Sequence, residues 1–171
     1  KDQKLKNFYA TKVGSDYQIA YKSGLIEILS NANNTYKLSV PITITGANGR
    51  ALVLVWSRNG DQPRLSKLQD NGEDLVSIEY SEAQVTITRA PNTSEESTFT
   101  LVRINAQLAS IELPTDTKGT TPWRFTYESF SNGFLGLSQV TSPTGLIEQV
   151  VYQPEGHRLP KGAPYATIPY V

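Results

Sequence analysis

The tetrapeptide Gly-Leu-Ile-Glu at residues 24–27 occurs again, near the other end of the chain, at residues 145–148. Each copy follows a short turn segment that carries a hydroxyl group, Ser23 in the first case and Thr144 in the second. Internal self-similarity is the signature of repeat architectures. A turn glycine that starts a strand twice in one sequence therefore predicts a β-protein built from a repeated hairpin.

Apolar and polar residues alternate along much of the chain, which is the pattern of half-buried strands. Tyr17, Ile19 and Tyr21 alternate with polar or small residues, and we expect a hairpin over 16–29. The run 36–44 also alternates, but it contains Pro41, which suits an edge strand or a bulge. About a dozen such strands predict an all-β fold, either a hairpin-built antiparallel sheet, a β-sandwich, a barrel or a β-solenoid.

The segments outside these strands set the expected domain organisation. Residues 1–13 are the best helix candidate, although their aromatic and β-branched residues favour a strand. We expect one β-rich domain over 1–171, or a fragment of a larger protein, with a subdivision into 1–115 and 116–153. The tail 154–171 carries four Pro and two Gly, and it is expected to be an extended connector.

Composition excludes several classes of function. The chain has 16 basic and 16 acidic residues, so it has no net field to attract nucleic acid. No apolar run approaches the length of a membrane helix, and no signal-peptide pattern opens the sequence. The absence of Cys excludes disulfides and thiolate metal sites. The absence of Met leads us to expect an excised or processed segment.

Tight turns are the clearest candidate structural sites. Asn-Gly and Ser-Gly pairs favour turns because glycine adopts a positive φ without steric cost. We expect five glycines to occupy the repeat turns, namely Gly24, Gly49, Gly72, Gly145 and Gly156.

The sequence offers few residues that could form a catalytic or metal-binding site. His157 is the only histidine, so a catalytic triad would depend on it, and a zinc site would need more ligands. Glu27 and Glu148 could form a glycosidase pair, but a carboxylate repeated with its surroundings indicates a repeated structural role. The segment 70–74 offers oxygen ligands without the spacing of a calcium loop. We expect no catalytic residues, no cofactor and no metal.

Aromatic residues suggest a second class of function. Trp56 lies in an apolar run and is expected in the core, whereas Trp123 follows a Thr-rich loop and is a candidate for stacking on a ligand. A carbohydrate-binding β-sandwich is therefore an alternative, and a glycoside-acting enzyme is a further one. The sequence also has N-glycosylation patterns at 33–35 and 92–94.

Two longer stretches, 64–80 and 136–152, have the same order of features. Each contains apolar residues, continues through a turn glycine and a strand, and ends in Tyr. After the second stretch, Tyr-Gln-Pro-Glu-Gly-His-Arg-Leu follows at 152–159. This unit resembles the tyrosine-aspartate (YD) repeat of RHS proteins, Tyr-Asp-x-x-Gly-Arg-Leu, although Gln153 replaces Asp and His157 is inserted. Residues 49–52 resemble its Gly-Arg-x-Leu part, and 138–171 is similar to the early RHS segment of large bacterial toxin-type proteins. The resemblance is best over 123–165, fair over 16–80 and poor over 85–120.

The resemblance implies a non-enzymatic section of an RHS-type β-solenoid shell, which such repeats form around a C-terminal toxin domain. It also implies secretion or injection by a bacterium. The expected partners are the remainder of the same polypeptide, the enclosed toxin and other toxin-complex subunits, with carbohydrate as a partner under the alternative reading.

Overall fold

The structure, a computed structural model, describes residues 7–31, 38–114, 121–130 and 132–171. Strand makes up 64% of the residues in these ranges and none of them is helical, which confirms the predicted all-β fold. The fifteen strands are β1 Phe8–Val13, β2 Asp16–Tyr21, β3 Ile26–Asn31, β4 Ser39–Thr45, β5 Ala51–Asn59, β6 Gln62–Asp70, β7 Glu73–Tyr80, β8 Gln84–Arg89, β9 Ser97–Ile104, β10 Gln107–Glu112, β11 Trp123–Ser129, β12 Leu135–Thr141, β13 Ile147–Gln149, β14 Gln153–Arg158 and β15 Thr167–Tyr170.

Every strand from β1 to β13 pairs with its neighbours in chain order, which gives one antiparallel, 13-stranded sheet. β14 and β15 form a second, two-stranded sheet, and the described strands do not close into a barrel. The predicted hairpin over 16–29 is confirmed as β2 and β3. Pro41 lies at a bulge between β3 and β4, as expected for a residue without a ladder donor.

The chain divides into two compact units. The first comprises Lys1–Glu79 and Ile87–Ser97, and the second comprises Tyr80–Thr86 and Thr98–Val171.

In the first unit, the two faces of the sheet differ in polarity. One cross-strand row is mostly apolar and runs through Ala10, Ile19, Glu27, Ile44, Leu52 and Asp70. The next row faces the other way and is mostly polar: Thr11, Gln18, Ile28, Thr43, Val53 and Gln69. Val40 and Leu54 are the only buried apolar residues among those the structure describes in this unit. The apolar face therefore stays half-exposed within the described ranges.

The tail does not match its expected structure. Residues 154–171 were predicted to be an extended connector, but β14 and β15 form a hairpin in which His157 pairs with Ile168. A two-stranded sheet leaves one edge of each strand free, so Pro154 and Pro169 fit where no donor is needed. The amide of Asn132 donates to the Thr167 carbonyl at 2.7 Å, which joins this hairpin to the turn between β11 and β12.

Gly156 was also wrongly assigned to a turn. It lies inside β14 and is not among the residues with a positive φ. A Cβ at this position would collide with the Tyr170 ring and with the Ile168 carbonyl oxygen at 2.9 Å. Glycine is required there by the close approach of the two strands.

The turn between β9 and β10 carries a strained residue. Asn105 and Ala106 both have a positive φ, 52° and 64°, as a two-residue hairpin turn of type I′ demands. Alanine pays a steric cost in this region that glycine does not. We expect Ala106→Gly to raise the free energy of unfolding by about 0.5–1 kcal/mol, measured by urea denaturation. Gln107→Gly, one residue later in the strand, should instead lower it.

Candidate functional site

The repeated glycines lie in one recurring type of turn. In residues 21–25 the N–H of Tyr21 donates to the Leu25 carbonyl at 2.8 Å, and the N–H of Gly24 donates to the Tyr21 carbonyl at 3.0 Å. Residues 142–146 repeat both bonds, at 2.8 and 3.0 Å. The two glycines have φ values of 85° and 87°. This is a three-residue hairpin loop that ends in a left-handed residue, the position that favours glycine.

The same turn occurs at two further places in the described chain. Residues 46–50 and 130–134 make the same pair of backbone bonds, each at 2.9 Å, with Gly49 at φ 80° and Gly133 at φ 83°. In both, the Asn before the glycine accepts a bond from the N–H two residues later. An Asn side chain that closes its own turn is a common stabilising device. The Asn132-Gly133 pair was a turn signal that sequence reasoning missed.

Gly72 occupies a different turn. Asn71 and Gly72 both have a positive φ, 50° and 85°, between the paired residues Asp70 and Glu73. This is the two-residue hairpin that an Asn-Gly pair predicts. It is one residue shorter than the loop at Gly145.

Aromatic side chains close three of the bulges that interrupt the sheet. The Trp56 indole N–H donates to the Pro41 carbonyl at 2.7 Å, and the Tyr152 hydroxyl donates to the Leu137 carbonyl at 2.9 Å. Tyr127 makes the equivalent bond to the Leu108 carbonyl at 3.0 Å. Each acceptor lies at a bulge, where ladder pairing is disrupted. Side-chain donors thus supply hydrogen bonds at bulges, where the backbone pairing of the strands is interrupted.

The two longer sequence stretches align on this feature. Tyr152 follows its acceptor, Leu137, by 15 residues. Trp56 follows its acceptor, Pro41, by the same interval. Leu65 precedes a bulge at Ser66, just as Leu137 precedes a bulge at Ser138, and Tyr80 stands at the same interval after Leu65. The turn at Gly72 is one residue shorter than the turn at Gly145. A bulge in β7, between the residues that pair with Leu68 and Gln69, adds one residue and so restores the same interval.

An ion pair joins the exposed side chain of Arg50 to the buried carboxylate of Asp70. The Asp70 side chain is 8% exposed and accepts bonds from two guanidinium nitrogens of Arg50, one of them at 2.8 Å. This contact raises the pKa of Arg50, first through the hydrogen bond and then through the carboxylate charge. The pair connects the turn before β5 to the end of β6. Its geometry is that of a structural link, since the aspartate is already neutralised.

A second ionic cluster lies on the polar face. Lys67 donates to one Asp74 oxygen at 2.6 Å, and the Gln69 amide donates to the other at 2.7 Å. Both bonds lower the pKa of Asp74, the one from Lys67 most strongly. Asp70 and Asp74, at the two ends of segment 70–74, thus each have a basic partner.

The Asp74 cluster predicts a dependence of stability on pH. A carboxyl whose folded pKa lies below its unfolded value, about 3.9, stabilises the fold above that value and loses this contribution as pH falls through the folded pKa. We expect the urea midpoint of the wild-type chain to drop across this acidic window, and Asp74→Asn to remove part of the drop. Asp61→Asn, at an exposed pair whose atoms are 4.0 Å apart, is the control. Identical pH profiles for wild type and Asp74→Asn would contradict the assignment.

The two repeated glutamates have equivalent places in their hairpins. Glu27 pairs with Ile19 and Glu148 pairs with Val140, each in the second position after the turn. Glu27 accepts a bond from the Tyr21 hydroxyl at 3.3 Å, whereas Glu148 is exposed. Partial burial, followed by the charge of Glu27, raises the pKa of Tyr21. The two glutamates lie in different units.

The other candidate residues are distributed along the sheets. Trp56 is half-buried and lines a groove of about 400 Å³ together with Val40, Ile42 and Leu54. Trp123 is half-buried at the start of β11, opposite Ile111. His157 is exposed, with its ring 5.8 Å from the Tyr170 ring. Of the N-glycosylation patterns, 92–94 lies in the loop after β8, and 33–35 lies outside the described residues.

Neither a metal-ligand cluster nor a membrane-spanning helix is found among the described residues. In these ranges no three His, Asp or Glu side chains group together in a way that could hold a metal ion. No helix there is long and apolar enough to cross a membrane. No protein-family model and no curated protein matches this chain.

Proposed function

We propose that this chain is a non-enzymatic structural segment of an RHS/YD-repeat protein, which forms or caps part of a shell around a C-terminal toxin. The observation that carries this proposal is the sheet order, in which thirteen strands follow one another in sequence. A ribbon of this kind can be lengthened by adding repeats. A wall made from it needs local joints that keep each strand in register.

The bulge donors and glycine turns are such joints. Each donor acts on an acceptor 15 or 19 residues earlier, so each of these bonds stabilises a stretch of chain that is local in sequence. The Tyr of the YD-like unit, Tyr152, is one of these donors. The charged groups support the same reading, because Arg50 is paired with Asp70 and Lys67 is paired with Asp74.

The open reading frame that contains this segment provides the first test. Many further Tyr-Asp repeats after residue 171 are expected, followed by a sequence of unrelated composition. Electron microscopy of the product of that frame should then reveal a hollow particle. A frame without such repeats, or a product without an internal cavity, would refute the proposal.

A further inference from the structure

The outer edge of β1 has the features of a strand-pairing surface. β1 is the first strand in the sheet order, and among the described residues only β2 pairs with it. Its side chains are all exposed, with Phe8 at 51%, Tyr9 at 57% and Val13 at 55%. An exposed, apolar edge strand with unpaired ladder groups is a template for another strand.

The backbone groups that this edge offers follow from the register with β2. The N–H of Lys22 donates to the Asn7 carbonyl at 3.2 Å, so residues 7 and 22 are a hydrogen-bonded pair. Bonded and non-bonded pairs alternate along an antiparallel ladder. Tyr9, Thr11 and Val13 therefore bond to β2, and the N–H and C=O groups of Phe8, Ala10 and Lys12 point away from the sheet.

We infer that a second copy of this chain pairs with this edge, β1 against β1, antiparallel about a two-fold axis at Ala10. The three outward residues are evenly spaced around Ala10, so this register places every outward-facing residue opposite an outward-facing residue of the copy. Ala10 meets Ala10 at the axis, where a small side chain avoids a clash. Shifting the axis to Thr11 would leave the Phe8 groups unpaired.

Charge and polarity support the same register. Lys12 of one copy lies opposite Phe8 of the other, on the face where the Phe8 ring contacts the Tyr21 ring at 6.0 Å. A lysine over aromatic rings is favourable, whereas two lysines opposite each other would repel. The register also continues the apolar row through Ala10 and Ile19 from one copy to the next. This inference goes beyond the proposed wall function and does not depend on it.

Sedimentation analysis of the full 171-residue chain tests the inference. We expect a dimer that dissociates on dilution, and Ala10→Pro should raise its dissociation constant by at least about tenfold. The fold of this variant should persist, because the N–H that proline removes points outward. Thr11→Pro is the matched control, since it removes a bond to β2 and should destabilise the monomer.

Cysteine variants test the register, since the natural chain has no Cys. Paired residues at the axis have Cα atoms about 5.5 Å apart, within the range of a disulfide. Ala10→Cys should form a disulfide-linked dimer on oxidation, and Thr11→Cys should not. A chain that stays monomeric at every concentration would overturn the inference. So would a dimer that Ala10→Pro leaves unchanged, or equal cross-linking of the two cysteine variants.

Discussion

Gly24→Ala should destabilise the chain by about 2–4 kcal/mol, clearly more than Gly145→Ala. Both glycines occupy the same position of the same turn, with φ values of 85° and 87°, so both substitutions introduce the same backbone strain. Only Gly24 has a close neighbour as well, because a Cβ there would lie 2.8 Å from the Cβ of Ala47 in the next turn. At Gly145 a Cβ would meet nothing within 4 Å.

The difference between the two variants isolates the packing contribution. Strain alone should cost about 1–2 kcal/mol at Gly145, measured as a shift in the urea midpoint. The double variant Gly24→Ala, Ala47→Gly should recover most of the excess at Gly24, because the collision partner is removed. Equal losses at the two glycines, or no recovery in the double variant, would show that the adjacent turns do not press on each other.

Much of this fold could be predicted from local patterns. Alternation identified strands because side chains of a strand point to opposite faces in turn. Turn glycines marked the hairpins because only a few residues tolerate a positive φ. Even the bulge at Pro41 followed from a local fact, the missing donor of proline.

The interactions across strands could not be predicted in this way. The Arg50–Asp70 contact depends on the pairing of Leu52 with Asp70, and no local pattern marks that register. The hydrogen bonds donated by Trp56, Tyr127 and Tyr152 could not be predicted either. Each acceptor is a backbone carbonyl that is available only because a bulge interrupts the strand pairing. In the tail, the high content of proline and glycine predicted an extended connector. The structure has a hairpin there, and Pro154 and Pro169 fit the unpaired edges of its two strands. Gly156 was assigned to a turn because glycine is common in turns. The close approach of the neighbouring strand β15 is what requires glycine at this position.

Tyr152 should carry the largest side-chain contribution in the second unit. Its hydroxyl donates to the Leu137 carbonyl at 2.9 Å, and its ring packs edge-on against Phe130 at a centroid distance of 5.4 Å. The same ring lies against Gly136, where a Cβ would approach it to within 2.9 Å. We expect Tyr152→Ala to cost about 3–4 kcal/mol, measured by urea denaturation.

Tyr152→Phe separates the hydroxyl from the ring. It keeps the contacts to Phe130 and Gly136 and removes only the donor to the bulge carbonyl, so it should cost about 1–2 kcal/mol. Tyr127→Phe is the matched variant, because the Tyr127 hydroxyl closes the bulge at Leu108 in the same way. Similar losses at Tyr152 and Tyr127 would support one recurring joint. If the two phenylalanine variants unfold at the wild-type urea concentration, the bulge carbonyls are satisfied without the aromatic donors, and the repeat owes its stability to ring packing and the glycine turns alone.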